Sequence, residues 1–145
     1  MGTSYTPLVW TDTYATGVPE IDEQHMILVH TLNEAGEKLV HNSSLELLEQ
    51  ITQDLLSYAL YHFDTEEALM QEFAYPDGPG SDMGQHLEQH RAFSAKVVAV
   101  REGLKAGAAI SPGDLLDFLN TWLVNHILNT DKKLGSSIVG KRSTT

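Results

Sequence analysis

The chain contains no cysteine. Disulfides, iron–sulfur clusters and thiolate zinc sites are therefore excluded, and any metal must be held by His, Asp and Glu. Basic residues are scarce: 9 Lys and Arg stand against 20 Asp and Glu, a formal net charge of -11. That balance argues against nucleic acid or an anionic membrane surface as partner, since both select basic patches. No apolar run approaches the roughly 20 residues that span a bilayer. The N-terminus has neither a basic nor an apolar signal region, so a cytoplasmic protein is expected. Strand alternation, low-complexity tracts and repeats are also missing. So is a His-Glu-x-x-His motif, which speaks against a zinc protease.

What remains is a chain of 145 residues, 41% hydrophobic, enough for one domain (1–145) with a proper core. Residues 1–17 read as an N-terminal arm without helical periodicity, anchored on the body by Trp10. Pro19 suits the first turn of a helix running to about residue 40. Ser43 and Glu46 resemble a capping box that opens a second helix, from about 44 to 73. Tyr75-Pro-Asp-Gly-Pro-Gly80 stops it, and a third helix is expected over about 82–106. Ser111-Pro112-Gly113-Asp114 opens a fourth, running to about 134. Residues 135–145 are small and polar and are expected to fray. The fold class is thus all-α, an antiparallel up-down-up-down four-helix bundle with an N-terminal arm.

Two histidines, His86 and His90, stand four apart and share one face of the third helix. His62 and Glu66 repeat that spacing late in the second helix, His25 lies early in the first, and His126 with Asp131 lies late in the fourth. Up-down-up-down topology brings all four positions to the same end of the bundle. His30 and His41 fail the test and read as solvated: His30 is five residues past His25, about 140° around the helix, and His41 falls in a turn. Asp131 is likewise five residues past His126, so a regular helix does not aim both at one atom; it would have to reach in from a frayed last turn.

Five imidazoles and two carboxylates exceed the needs of one metal and suit two sharing bridging carboxylates. The oxygen-cleaving di-iron bundles use two Glu-x-x-His motifs and two further glutamates. Here two acids meet five neutral imidazoles. Two ferrous ions with one bridging hydroxide then keep about one net positive charge. This favours the reduced state, and with it reversible dioxygen binding over O–O cleavage.

At this point the chain resembles a bacterial hemerythrin over about residues 8–134. The motifs are Trp10, Gly17-Val-x-x-Ile-Asp-x-Gln-His25, His62-Phe-x-x-Glu66-Glu67, Tyr75-Pro76, His86-x-x-x-His90-x-x-Phe93 and Trp122-Leu-x-x-His126-x-x-x-x-Asp131. The resemblance implies two non-haem irons. His86, His90 and His126 would fill the sphere of one. His25 and His62 would hold the other, with a position left open for dioxygen, and Glu66 and Asp131 would bridge beside an oxo or hydroxo oxygen. Leu28, Val29, Phe63, Trp122 and Leu123, near these ligands, would line a dry gas pocket. Gln89 and Leu134 depart from the family pattern, where Glu and an aromatic are common. The implied function is oxygen transport, storage or sensing by a binding protein and not an enzyme. The alternative is a di-iron enzyme that consumes peroxide or nitric oxide on the same bundle.

Overall fold

A computed structural model describes residues 7–41, 44–77, 80–107 and 111–143. Its helices are α1 (Pro19–His41), α2 (Leu45–Glu72), α3 (Asp82–Lys105), α4 (Pro112–Asn125) and α5 (Lys132–Ser143), with a π-helical segment, His126–Asp131, joining the last two. Among the described residues there is no strand, and no helix is long and apolar enough to cross a membrane. Serines open three of the helices by accepting a backbone N–H: Ser44 from Leu47, Ser81 from Gly84 and Ser111 from Asp114. The expected cap Ser43 lies outside the described residues.

Hydrogen bonds between helices fix the antiparallel register. Gln24, early in α1, reaches Thr65, late in α2, and Gln89, early in α3, reaches Thr130 beyond the end of α4. The core divides into two apolar clusters. The larger runs along the bundle and contains Leu32, Leu39, Leu55, Phe93, Val97 and Leu119. The smaller closes one end with Val18, Ile21, Met70, Met83, Leu134 and Ile138.

Two expectations are corrected here. The fourth helix does not fray at residue 131; backbone dihedrals stay right-handed helical at both His126 and Lys132, so α4, the π segment and α5 form one rod. Nor do residues 135–143 of the expected tail fray, because helix continues to Ser143; residues 144–145 lie outside the described residues. Leu134 and Ile138, four apart on one face, are fully buried in the smaller cluster. Gly135 lets this helix press against the arm: a Cβ there would lie 2.5 Å from the Thr16 carbonyl oxygen. Arg142 pairs with Glu20 through both terminal guanidinium nitrogens, at 2.6 and 3.1 Å, and Lys141 donates to the Phe73 and Ala74 carbonyls at the end of α2.

The arm is held as well. The Leu8 backbone exchanges hydrogen bonds with the Asn33 side chain at 2.8 and 2.9 Å. Trp10 packs on the larger cluster, its ring centroid 6.4 Å from that of His25.

Candidate metal centre

A polar layer lies between the two apolar clusters. It contains all seven residues that sequence spacing picks out: His25 from α1, His62 and Glu66 from α2, His86 and His90 from α3, and His126 and Asp131 from the ends of the π segment, all buried. His30 is exposed beside Glu34. The His41 side chain lies outside the described residues, and its backbone ends α1 instead of lying in a turn.

The donor atoms gather into two groups, each within 4.8 Å: Glu66, His86, His90, His126 and Asp131 in one, His25, His62, Glu66 and Asp131 in the other. The carboxylates belong to both. Asp131 divides its oxygens, Oδ1 lying 3.0 Å from Nε2 of both His86 and His126, and Oδ2 lying 2.8 Å from His25 Nε2. Glu66 Oε1 stands 3.3, 3.5 and 3.1 Å from Nε2 of His62, His86 and His90.

The π segment accounts for Asp131. Its turn is about one residue wider than an α turn, so positions five apart share a face. His126 and Asp131 are such a pair, and the Asn129 amide donates to the Asn125 carbonyl at the start of the widened turn. Period 3.6 does not reveal this, and it removes the need for a frayed end.

The donor set fits a metal. Nε2 of His25, His62, His86 and His126, Glu66 Oε2 and both Asp131 oxygens are buried without a hydrogen-bond partner. Each such group costs about 1–3 kcal/mol unless something satisfies it. Bonds of about 2.1 Å at right angles set neighbouring donors about 3 Å apart, close to the 2.8–3.5 Å separations seen between imidazole nitrogens and carboxylate oxygens.

Three imidazoles have their other nitrogen anchored. His62 Nδ1 donates to Gln24 Oε1 and His126 Nδ1 to Gln89 Oε1, both at 2.7 Å, and His90 Nδ1 contacts Glu67 Oε2 at 3.1 Å. These bonds fix the tautomer and aim Nε2 inward. Aromatic rings hold two planes: Phe63 stacks on His90 at 3.8 Å, and Trp122 on His126 at 4.4 Å. Sequence reasoning gives Gln24 and Glu67 no role and only flags Gln89. The signal was the position of each beside one of the seven cluster residues.

Without metal the cluster keeps protons. His86 is pushed up to about 9: burial opposes its charge, but the Asp131 and Glu66 carboxylates, 3.0 and 3.5 Å from its Nε2, override it. His25 moves upward for the same reasons. Burial would raise Glu66, yet the charge of His62 and the His62, His86 and His90 nitrogens close to Oε1 hold it well below the usual carboxylate range. Asp131 is lowered too, by His126 and His25, against burial and the Glu66 charge. Metal uptake must therefore release protons. The His86 shift also sets a pH trend, because its value in the fold lies above the ordinary 6.5. The stability it adds is present below pH 6.5 and is lost as pH rises through about 9. Metal-free protein is expected to melt at lower temperature above pH 9 than at pH 6.5, measured by circular dichroism. Equal melting temperatures would contradict it.

Beside the cluster is a cavity of about 30 Å³, lined by His25, His62, His126, Asp131 and nine apolar or aromatic side chains. Four of the five expected pocket residues line it: Leu28, Phe63, Trp122 and Leu123. Val29 does not; it is buried in the larger core cluster. The α1 lining is His25, Leu28 and Leu32, and Val29 sits about 100° around the helix from Leu28. Of the lining residues Trp122 is the most exposed, and with His126 it also lines an open cleft on the outside.

The family model described as "Hemerythrin HHE cation binding domain" matches residues 16–137. A bacteriohemerythrin of Stenotrophomonas maltophilia is 30% identical over 133 residues, covering 90% of this chain and 81% of the relative. One from Pseudomonas aeruginosa is 33% identical over 127 residues, covering 86% and 76%. A myohemerythrin of Theromyzon tessulatum is 26% identical over 127 residues, covering 88% and 90%. The crystal structure of a wild-type hemerythrin is similar with a TM-score of 0.81 at 25% identity, over 92% of this chain and 98% of that one.

Proposed function

This chain belongs to the hemerythrin family, and on that premise we propose that it binds dioxygen reversibly at a non-haem di-iron centre, for oxygen transport, storage or sensing. His86, His90 and His126 would hold one iron and His25 and His62 the other. Glu66 and Asp131 would lie between them beside an oxo or hydroxo bridge, in keeping with the two donor groups that share those carboxylates. When bound, the two irons supply the electrons that reversible dioxygen binding requires.

The cavity carries this reading. A water-sized molecule needs about 10–15 Å³ of such space, so a cavity of about 30 Å³ admits a diatomic molecule and little more. Both His25 and His62 line it, whereas of His86, His90 and His126 only His126 does. That asymmetry sets the free space beside the half with fewer imidazoles. The rest of the lining is Leu, Ala, Phe and Trp, which exclude water and leave a bound molecule few proton donors. Such a lining suits binding and release better than an enzyme that must deliver protons.

The test is optical. The iron-loaded, reduced protein should gain visible absorption on exposure to air and lose it again under inert gas, over repeated cycles. A single irreversible change within seconds would favour the enzyme.

A further inference from the structure

The two halves of the bundle repeat one arrangement around the cluster. On α1, Gln24 precedes His25. Its Oε1 accepts from His62 Nδ1 at 2.7 Å, and its Nε2 donates to Thr65 Oγ1 at 3.1 Å. Thr65 immediately precedes Glu66 on the same helix as His62. On α3, Gln89 precedes His90. Its Oε1 accepts from His126 Nδ1 and from Thr130 Oγ1, both at 2.7 Å. Thr130 immediately precedes Asp131 on the same rod as His126.

Each glutamine thus directly precedes a cluster imidazole on its own helix. Across to the neighbouring helix, it grips a second imidazole and the threonine next to a shared carboxylate. The spacings differ by one residue, His62-x-x-Thr65-Glu66 against His126-x-x-x-Thr130-Asp131. The extra residue falls inside the π segment, whose wide turn absorbs it. The π turn therefore keeps the two halves equivalent despite an added residue. The correspondence ends one turn earlier: His86 precedes His90 by four, and Ile21 occupies that place before His25, leaving this half one imidazole short.

We propose that Gln24 and Gln89 are matched positioning residues, one for each metal of the pair. Each sets an imidazole and a shared carboxylate together through one amide. This rests on the metal-binding reading of the cluster. The amides work in different senses. Gln89 uses one oxygen for both bonds, so a carboxylate can replace it. Gln24 must donate to Thr65, whose hydroxyl hydrogen already goes to the Tyr61 carbonyl at 3.2 Å, so a carboxylate cannot replace it there.

The experiment is a titration with cobalt(II) under inert gas, read by its visible absorption, with circular dichroism to check helix content. Wild type should bind two equivalents. Gln24→Met and Gln89→Met keep the side-chain length and lose the hydrogen bonds. Each should weaken most, about 10–100-fold, the equivalent whose imidazole it holds, and the other less, through the shared carboxylate. Gln89→Glu should bind both as tightly as wild type, and Gln24→Glu should weaken one. The glutamate pair also keeps the test decisive if a methionine variant fails to fold. Should both methionine variants bind like wild type, or the two glutamate variants behave alike, the proposal is overturned. A wild type that takes up fewer than two equivalents instead overturns the metal-binding reading itself, and this inference with it.

Discussion

Asp131→Ala is expected to abolish tight binding of both irons, a larger loss than any other single change at the cluster. Asp131 is the one residue whose two oxygens face different groups, Oδ1 toward His86 and His126 and Oδ2 toward His25. Removing it takes a donor from each iron and a negative charge from a fully buried site. Loss of an outer hydrogen-bond partner costs about 10–100-fold in metal affinity, and loss of a shared direct ligand should exceed that at both irons. His62→Ala provides the contrast, since His62 belongs to only one donor group, and it should lower the affinity for one iron alone. The measurement is iron per chain after loading and gel filtration. An Asp131→Ala protein that retains one tightly bound iron would show that the carboxylate is not shared.

The second large effect concerns the cavity. Leu123 precedes His126 by three residues, lies on the same face one turn away, and lines the cavity. Leu123→Asn places an amide in an otherwise apolar lining. A hydrogen bond to a charged group is worth about 1.5–3 kcal/mol. If that stabilises charge developing as iron is oxidised, the rate rises about 10–100-fold, at 1.36 kcal/mol per tenfold. Air oxidation of the reduced, iron-loaded protein, followed optically, should accelerate by that factor. Trp122→Ala should act in the same direction. It removes the most exposed lining residue, opens the cavity toward the outer cleft and strips the ring from His126. Unchanged rates in both variants would mean that these side chains serve only as core.

Most of this centre was legible because helical geometry is local. His62 with Glu66 and His86 with His90 stand four apart, and up-down topology brings their helix ends together. The starts of α1 and α4 were legible from proline and serine chemistry and that of α2 was displaced by one residue, to Ser44, while the Ser81 cap of α3 was not read. The π segment was not legible, since a 3.6-residue period cannot show a single widened turn. The last helix was not legible either. Gly135, Ser136 and Ser137 have little helical preference, and Leu134 and Ile138 gain their meaning from Val18, Ile21 and Met70, distant in sequence. Gln24 stood only inside the resemblance motif and Gln89 only as a departure from it, and their partners, His62 and His126, lie too far along the chain for spacing to connect them. Gln-His occurs three times, at 24–25, 85–86 and 89–90, and only the first and last of these glutamines accept from a cluster imidazole on a neighbouring helix.

The most direct test is a titration of metal-free wild-type protein with ferrous iron under inert gas, read by the protons released and by iron retained per chain. The account predicts a break at two irons per chain, as expected for two donor groups that share Glu66 and Asp131. A break at one, or no retained iron, would contradict it.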